Sequence, residues 1–401
     1  MFNNVEAYPG DPILSLLEGF LVDSREQKTN LSIGLYYDDQ GQIPILESVQ
    51  QAKTLLQANP APHTYLPMEG VAAYRDAVQR LVFGADAPQV TDGQIATVQT
   101  VGGSGAIHLA ARFIKQYLPD SAVWMSDPTW DNHRTLLESA GLAVNTYPYL
   151  NAAGNGVDFD AMLSTLQTLP LHSVVLLQPS CHNPTGCDLT PEQFDEVIAI
   201  VEHRNLVPFI DMAYQGFGEG LNEDAGPIRK MLQKGLPMFV SNSFSKNFSL
   251  YGERVGGLSV VCDSKHVADN VVGQLKAIVR KIYSSPPAFG GQVVATILST
   301  PQLRANWENE VAAMQARMVS MRHALRSALE AQVDYPADFL TRQSGMFSYT
   351  GLSATEVDYM REAHGVYLVR SGRICIAGLN SRNVEAVASS IADVISRRRR
   401  S

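Results

Sequence analysis

The chain has 401 residues, 45% of them hydrophobic and 18% charged, with a formal net charge of -9. That length suits one large domain with a smaller one, and the acidic balance argues against a nucleic-acid-binding protein, which normally presents a basic face. No apolar run approaches membrane-spanning length, and the first residues lack the charged and apolar regions of a signal peptide. The cysteines form no C-x-x-C pair, so we expect reduced thiols in a cytoplasmic protein, with neither a disulfide framework nor a metal site.

The first predicted helix runs from Pro12 to Leu21, with Asp11 as its N-cap. The stretch 30–37 contains Gly34, and its pattern fits an edge strand and the wall of a pocket equally well. Further on, a turn-rich segment carries Tyr65, whose side chain we expect to be exposed.

From about residue 95 the pattern alternates between short apolar strands and helices, which predicts an α/β fold. A strand over 95–100 leads into a glycine-rich turn that includes Gly103 and Ser104, and then into a helix. Backbone N–H groups at such a turn can hold an anion. The dinucleotide-binding motif G-x-G-x-x-G would need a glycine at the position of His108. We therefore expect this turn to bind a single phosphate group.

Polar or aromatic residues follow the next predicted strands. Ligands of open α/β sheets bind at the carboxyl ends of the strands, so these residues are candidates for a binding site. Trp130 has the alternative of packing into the core, and Asp211 that of capping the next turn. The strands cover 122–125, 173–178 and 206–211, and the candidate residues are Trp130, Asn183, Asp211 and Tyr214.

The strand predicted over 237–240 runs into serines and one lysine, Lys246, which are unusual beside a buried strand. Burial favours the neutral amine of a lysine, and a neutral amine can attack a carbonyl carbon to form a Schiff base. The hydroxyl of Ser243 and the guanidinium of Arg254 suit an anion held beside that amine. An isolated S-x-x-K is more often a solvated loop. A serine β-lactamase would also need S-D-N and K-T-G, and neither occurs in the sequence.

Two long helices are predicted in the remaining sequence, over 265–282 and 301–330, and the second is expected to lead into a smaller domain. Arg280 lies just before the loop that follows the first of these helices. Arg373 opens an apolar strand, where it is either solvated at the surface or placed to capture a carboxylate.

One ligand would use all of these groups, namely pyridoxal 5'-phosphate, a planar phosphorylated pyridine aldehyde. It needs a Schiff-base lysine, an acid at its pyridine nitrogen, a stacking partner, donors to its phenolic oxygen and a phosphate cradle. In that order the candidates are Lys246; Asp211; Trp130; Asn183 with Tyr214; and Gly103, Ser104, Ser243 and Arg254.

The sequence resembles the class I aminotransferases of fold type I, in the subgroup that acts on aspartate and aromatic amino acids. The resemblance covers essentially the whole chain, and it is most specific toward the bacterial aromatic-amino-acid branch. The motifs that carry it are N-P-T-G at 183–186, D-M-A-Y at 211–214, S-F-S-K-N at 243–247, Y-G-E-R at 251–254 and S-G-R at 371–373, together with the stretches 31–37, 65–70 and 345–352.

The resemblance implies a large domain over 45–310, with a mostly parallel sheet between helices. It also implies a small α/β domain, formed by 1–44 and 311–401, that closes over substrate. The active form would be a homodimer with shared sites. Tyr65 would reach the partner subunit's cofactor phosphate, and Arg280 would reach a side-chain carboxylate of the substrate there. Cis peptide bonds are implied at two X-Pro positions, Asp127-Pro128 and Asn183-Pro184.

The implied activity is transfer of the amino group of tyrosine or phenylalanine, and of aspartate, to 2-oxoglutarate by a ping-pong mechanism. Lys246, Asp211 and Tyr214 would be the catalytic residues, and Arg373 would bind the α-carboxylate of the substrate. The other implied substrate-binding residues are Arg280, Gly34, Trp130 and Asn183.

Three alternatives remain open. The nearest is an aspartate aminotransferase with little aromatic activity, since Arg280 suits both enzymes. Another chemistry of the same fold type, such as a β-lyase or decarboxylase, is disfavoured by Arg280 and Arg373, which suit two carboxylates. A non-catalytic regulator is disfavoured by the complete catalytic set and by the lack of a preceding basic helix-turn-helix domain. One departure from the family pattern is the stretch Gln178-Pro179-Ser180-Cys181, where relatives often have a histidine and a second cysteine, and we expect it to alter the local hydrogen bonds.

Overall fold

A seven-stranded sheet forms the centre of the computed structural model, which describes residues 2–8 and 10–399. Two-stranded sheets accompany it. Numbered along the chain, the strands are β1 (Thr29–Asn30), β2 (Ile95–Val101), β3 (Val123–Asp127), β4 (Val144–Pro148), β5 (Val174–Leu177), β6 (Val207–Met212), β7 (Met238–Ser243), β8 (Val255–Val261), β9 (Phe347–Tyr349), β10 (Val366–Tyr367) and β11 (Arg373–Cys375).

Helices alternate with most of these strands and also dominate the last part of the chain. They are α1 (Pro12–Val22), α2 (Glu47–Ala58), α3 (Ala72–Phe83), α4 (Pro88–Thr91), α5 (Gly102–Tyr117), α6 (Asn132–Ser139), α7 (Phe159–Thr168), α8 (Pro191–His203), α9 (Gly226–Gln233), α10 (Lys265–Ile282), α11 (Ala288–Ser299), α12 (Pro301–Glu330), α13 (Phe339–Arg342), α14 (Ala354–His364) and α15 (Val384–Arg398). Among the described residues, no helix combines the length and the apolar character that crossing a membrane requires.

The strand order of the main sheet is β2-β8-β7-β6-β5-β3-β4. β8 runs antiparallel to β2 and β7, and the other neighbouring pairs are parallel. The predicted α/β fold with a mostly parallel sheet is therefore confirmed. Because the parallel strands share one direction, the residues that follow β3, β5, β6 and β7 meet at one edge of the sheet.

Both faces of the main sheet are buried. In β5, Val174 and Leu176 belong to an apolar cluster on one face, whereas Val175 and Leu177 belong to a different cluster on the other. Successive side chains of a strand point to opposite faces, so a sheet covered by helices on both sides needs apolar residues at every position. The continuous apolar run in this strand follows from that requirement.

Local sequence signals account for several helix ends. The Asp11 carboxylate accepts hydrogen bonds from the backbone N–H of Ile13 and Leu14, as predicted for the N-cap of α1. The long helices α10 and α12 have the bounds predicted for them. The peptide bonds Asp127-Pro128 and Asn183-Pro184 are cis, as the family resemblance implies.

The structure corrects two predicted strands. β7 ends at Ser243 instead of residue 240, because Ser241 pairs with Asp211 on one side and Leu258 on the other. In the stretch 30–37, by contrast, the strand ends at Asn30. The remainder is irregular and reaches the site, so the pocket-wall alternative holds there.

The two ends of the chain come together in the small sheets. β1 pairs in parallel with β10, and β9 pairs in antiparallel with β11. The backbone N–H of Cys375 also donates to the carbonyl of Leu31. These pairings carry Arg373, at the start of β11, toward the edge of the main sheet where the strand ends meet.

Candidate active site

A cavity of about 210 Å³ opens at the carboxyl edge of the main sheet. Every predicted site residue except Tyr65 and Arg280 lines it, so strand ends far apart in the sequence meet as expected. These residues are Gly34, Gly103, Ser104, Trp130, Asn183, Asp211, Tyr214, Ser243, Lys246, Arg254 and Arg373. The lining is completed by Ile13, Ile107, Gln178, Ala213, Ser245 and Phe347.

Lys246 lies just beyond the carboxyl end of β7, with its Nζ 5.0 Å from the centroid of the Tyr214 ring. Burial lowers the pKa of this amine to about 8, and the charge of Arg254 also lowers it, whereas the Asp211 carboxylate opposes the shift. Near neutral pH a much larger fraction of this amine is therefore uncharged than of an exposed lysine. An uncharged amine is the form that attacks a carbonyl carbon.

Asp211 is 7% exposed, and its carboxylate is held by a histidine that the sequence analysis did not identify. Nε2 of His133 donates to Oδ2 of Asp211 (3.1 Å), and Oγ1 of Thr129 lies 2.8 Å from Nδ1 of the same ring. His133 lies in α6, where its ring contacts the Trp130 indole edge to face at 5.2 Å between centroids. It follows Trp130 by three residues, just after the turn that leads into α6, and this proximity to a predicted site residue was the available sequence signal.

A hydrogen-bonded chain joins Tyr214, Asn183 and Arg373. Nδ2 of Asn183 donates to the Tyr214 hydroxyl (3.2 Å), and Nη1 of Arg373 donates to Oδ1 of Asn183 (3.3 Å). Burial raises the pKa of the Tyr214 hydroxyl, with the Arg373 charge opposing the shift, so the phenol stays protonated. The Tyr214 hydroxyl and the Asn183 amide therefore both offer hydrogen-bond donors to a ligand in the cavity.

Arg373 is 4% exposed, so its predicted alternative of surface solvation is wrong. Nη2 donates to the carbonyl of Ser32 (2.7 Å), and the guanidinium lies 4.5 Å from the centroid of the Phe347 ring. Within the described residues, Nε of Arg373 has no hydrogen-bond partner. A buried guanidinium with a free donor and no paired carboxylate suits the capture of a carboxylate from a ligand.

Gln178 fixes the backbone around Asn183. Its Oε1 accepts from the Asn183 N–H (2.9 Å), and its Nε2 donates to the Asn183 carbonyl (3.1 Å). Its Nε2 also donates to Oγ1 of Thr129 (3.5 Å), and the expected difference from the family in local hydrogen bonding stays a prediction.

An anion cradle lies between the start of α5 and the turn after β7. Nη1 of Arg254 donates to the Ser245 hydroxyl (3.3 Å), which in turn accepts from Ser243 (3.2 Å). A Cβ at Gly102 would stand 2.6 Å from Nη2 of Arg254. The absence of a side chain there leaves the guanidinium close to the helix start.

The donors around the cavity fit pyridoxal 5'-phosphate. The hydroxyls, the guanidinium and the N-terminal N–H groups of α5 suit a phosphate, and the Asp211 carboxylate suits a protonated pyridine nitrogen. The half-buried Trp130 lines the same cavity, and its stacking role stays a prediction.

Tyr65 and Arg280 do not line this cavity. The Tyr65 side chain is 94% exposed, as expected from the sequence, and Arg280 lies exposed on α10, where it donates to the Ser284 hydroxyl.

The comparisons with known proteins agree with this chemistry. Residues 26–391 match the family model described as aminotransferase class I and II. The chain is 55% identical to a tyrosine aminotransferase of Klebsiella pneumoniae and 46% identical to an aspartate aminotransferase of Pseudomonas aeruginosa, in each case over 98% of this chain and 100% of the relative. A solved aromatic-amino-acid aminotransferase of Burkholderia pseudomallei, covalently bound to pyridoxal phosphate, is 46% identical, with a TM-score of 0.97 over 98% of this chain and 99% of that one.

Proposed function

The chain belongs to the class I and II aminotransferase family, and from that premise we propose that it is an aromatic-amino-acid aminotransferase. It transfers the amino group of tyrosine or phenylalanine, and also of aspartate, to 2-oxoglutarate. The observation that carries the proposal is the shared cavity of Lys246 and Arg373, which brings together a buried amine of lowered pKa and a buried guanidinium.

Pyridoxal 5'-phosphate is the cofactor of this enzyme family, and when bound it supplies a reactive carbonyl and a ring that accepts electrons from the substrate's Cα. We propose that Lys246 holds it covalently and that Asp211 holds a proton at its pyridine nitrogen. Trp130 would stack on the ring, and Asn183 and Tyr214 would donate to the phenolic oxygen. The phosphate would be held by Gly103, Ser104, Ser243, Arg254 and, from the partner subunit, Tyr65.

The catalytic work of the chain's own residues centres on one proton. Nζ of Lys246, once free, takes the proton from Cα of the amino acid, because its lowered pKa leaves it able to act as a base near neutral pH. The Asp211 carboxylate would hold the proton at the pyridine nitrogen of the cofactor, and the hydrogen bond from His133 holds the carboxylate in its orientation. Tyr214 donates a hydrogen bond throughout, since burial keeps its hydroxyl protonated.

Substrate orientation comes from Arg373, which pairs with the α-carboxylate through its planar guanidinium. Gly34 would border the substrate, and its lack of a side chain lets the Phe347 ring pack against its backbone, since a Cβ there would stand 2.8 Å from that ring. Trp130 and Asn183 border the substrate as well as the cofactor. Arg280 would contact a side-chain carboxylate, when the substrate has one, in the site of the other subunit.

We further propose a homodimer with two shared sites, located in the cytoplasm. The exposure of Tyr65 and Arg280, and the exposed apolar side chains of Phe2, Val5 and Tyr8, support a surface that a second copy covers. The free and buried cysteines support a reducing compartment.

The division into a large domain over 45–310 and a small domain over 1–44 and 311–401 is part of the same proposal. The pairing of β1 with β10 supports it, because that pairing joins the first and last parts of the chain. Closure of the small domain over substrate would exclude water from the reacting atoms.

A single-turnover measurement tests the proposed activity. The cofactor-loaded enzyme is mixed with excess phenylalanine or with excess aspartate, and the visible absorbance of the bound cofactor is followed by stopped flow. We expect rapid loss of that absorbance with both amino acids. Loss with aspartate alone would instead identify an aspartate aminotransferase, and no loss with either would contradict transamination of both substrate classes.

A further inference from the structure

Arg322, on the long helix α12, is a buried cation outside the cavity that the proposed chemistry does not use. Its side chain is 3% exposed, and its guanidinium donates to one hydroxyl and four backbone carbonyls. The acceptors and distances are Ser348 Oγ (3.0 Å), Leu340 O (2.9 Å), Ser344 O (2.9 Å), Gly345 O (2.9 Å) and Phe347 O (2.6 Å).

Burying this cation costs free energy that a simple packing role would not require. Burial lowers the pKa of the guanidinium to about 10, so it remains charged at neutral pH. Among the described residues the Arg322 guanidinium donates to carbonyls and one hydroxyl and to no carboxylate, and Asp188 is one of the groups whose charge acts on it without a hydrogen bond. A buried charge satisfied mainly by carbonyl dipoles is costly, which favours a role in fixing one backbone conformation.

The backbone that Arg322 holds is also tied to the loop that carries Asn183. The Ser344 N–H donates to the carbonyl of Gly186 (2.8 Å), and the Ser344 hydroxyl donates to the Asp188 carboxylate. That carboxylate accepts in addition from the N–H groups of Cys181 (2.7 Å) and His182 (2.8 Å). The segment 344–347 therefore has contacts on two sides that allow it little freedom.

Phe347, at the end of the held segment, is the part that reaches the cavity. Its ring lies 4.5 Å from the Arg373 guanidinium and meets the Tyr214 ring edge to face, at 5.9 Å between centroids. A shift of this ring would change the position of Arg373, because the guanidinium rests on its face. Arg322 can therefore influence carboxylate binding without touching a ligand.

We propose that Arg322 is a positioning residue for the substrate carboxylate, acting through the 344–347 backbone and the Phe347 ring on Arg373. The inference rests on the proposed function, in which Arg373 binds that carboxylate. The carboxylate is bound in the ground state and in the transition state alike. Loosening Arg373 should therefore raise KM and leave kcat nearly unchanged.

The test compares the cofactor-loaded wild type with Arg322→Lys, which keeps the charge and loses the planar fork. For tyrosine we expect KM to rise roughly tenfold and kcat to change by less than about threefold. Affinity for 3-phenylpropionate, a carboxylate without an amino group, should fall by a similar factor in a direct titration. The absorbance spectrum of the bound cofactor should not change.

The matched control is Arg326→Lys, one helical turn further along α12. Arg326 donates to Glu330 and Thr341, and within the part of the chain that the structure describes it makes no hydrogen bond to the 344–347 segment, so its substitution should leave KM unchanged. A second control is Phe347→Leu. In that background Arg322→Lys should add little to KM, since the ring that transmits the effect is gone.

Ser348→Ala removes a single acceptor of Arg322, and it carries the test if Arg322→Lys does not fold. We expect a smaller change in the same direction, with KM raised roughly twofold to threefold. Unchanged KM and probe affinity in both variants would overturn the proposal, as would a full Arg322→Lys effect in the Phe347→Leu background. A wild type that binds 3-phenylpropionate but turns over neither tyrosine nor aspartate would refute the proposed function instead, and the probe titration would still test Arg322.

Discussion

The amine of Lys246 is held in an environment that opposes its charge. Its ordinary pKa of 10.5 falls to about 8 mainly because it loses contact with water. Between these two values the folded state binds fewer protons than the unfolded state. The free energy of unfolding therefore rises with pH across this window, and burial of the cation is a net cost below it.

Replacing Lys246 with methionine should therefore stabilise the cofactor-free protein while abolishing turnover. We expect a gain of about 3 kcal/mol in the free energy of unfolding at pH 7, which shrinks as the pH rises from about 8 toward 10.5. Urea unfolding at pH 7 and at pH 10 measures the difference. The exposed Lys115→Met is the control and should show no such dependence; a destabilised Lys246→Met protein at pH 7 would contradict the argument.

Residues with a strand-end position and a motif could be found from the sequence, and residues that act across elements could not. Lys246 and Asp211 stand at the ends of recognisable strands within family motifs. His133 and Arg322 were missed because each contributes through a contact to an element distant in the chain. Only the fold brings such partners together, so no local pattern marks them.

The junction of β2 and α5 depends on a glycine at a restricted place. Gly102 has a φ of +65°, and its backbone N–H donates to the carbonyl of Arg254 (3.0 Å). Arg254 itself has a φ of +53°. Gly102 and Arg254 are thus two residues of left-handed backbone conformation that contact each other. Their contact places the Arg254 guanidinium at the start of α5.

Gly102→Ala should weaken cofactor binding, because the new Cβ would displace Nη2 of Arg254 and the left-handed backbone disfavours a side chain. Strain of about 1–2 kcal/mol corresponds to roughly a tenfold loss of affinity for pyridoxal 5'-phosphate if it falls on the bound state. A titration of the cofactor-free protein measures it. The control is Gly273→Ala in α10, where a Cβ would meet no atom within 4 Å and affinity should not change. If the wild type, Gly102→Ala and Gly273→Ala bound pyridoxal 5'-phosphate with equal affinity, the space beside Gly102 would not be needed for cofactor binding.

At the level of helices and strands, the sequence predicted most of the main sheet but overlooked α11. That helix contains Gly290 and Gly291, which lower helix propensity and obscure the pattern. Both are explained by close packing, since a Cβ at Gly290 would stand 2.3 Å from Val255, and one at Gly291 would stand 2.5 Å from Gln99. Tertiary contact overrides propensity here.

In the proposed dimer, each active site would contain residues from both subunits. Lys246 and Arg373 line the same cavity within one chain, whereas Arg280 lies exposed and outside it. If Arg280 serves the other subunit's site, two defective chains can restore one complete site when they associate. A symmetric dimer makes this arrangement reciprocal.

Mixing Lys246→Ala and Arg280→Ala subunits under exchanging conditions tests this arrangement. Random association should restore aspartate turnover to about a quarter of the wild-type value, because half of the dimers are hybrids with one intact site. Steady-state rates before and after exchange provide the measurement. Mixing Lys246→Ala with Arg373→Ala is the control and should restore nothing, since both residues belong to one chain's site. No recovery in the first mixture would place Arg280 with its own subunit.

The residues of the site belong to two different sheets. Asp211 and Ser243 belong to strands of the seven-stranded sheet, whereas Phe347 and Arg373 belong to the small sheet of β9 and β11. Substitutions in the small sheet can therefore alter which amino acids are accepted while the proton-transfer chemistry persists. Proteins with this fold can therefore evolve to accept different substrates while keeping the same reaction. Laboratory selection for new substrates is best directed at β9 and β11.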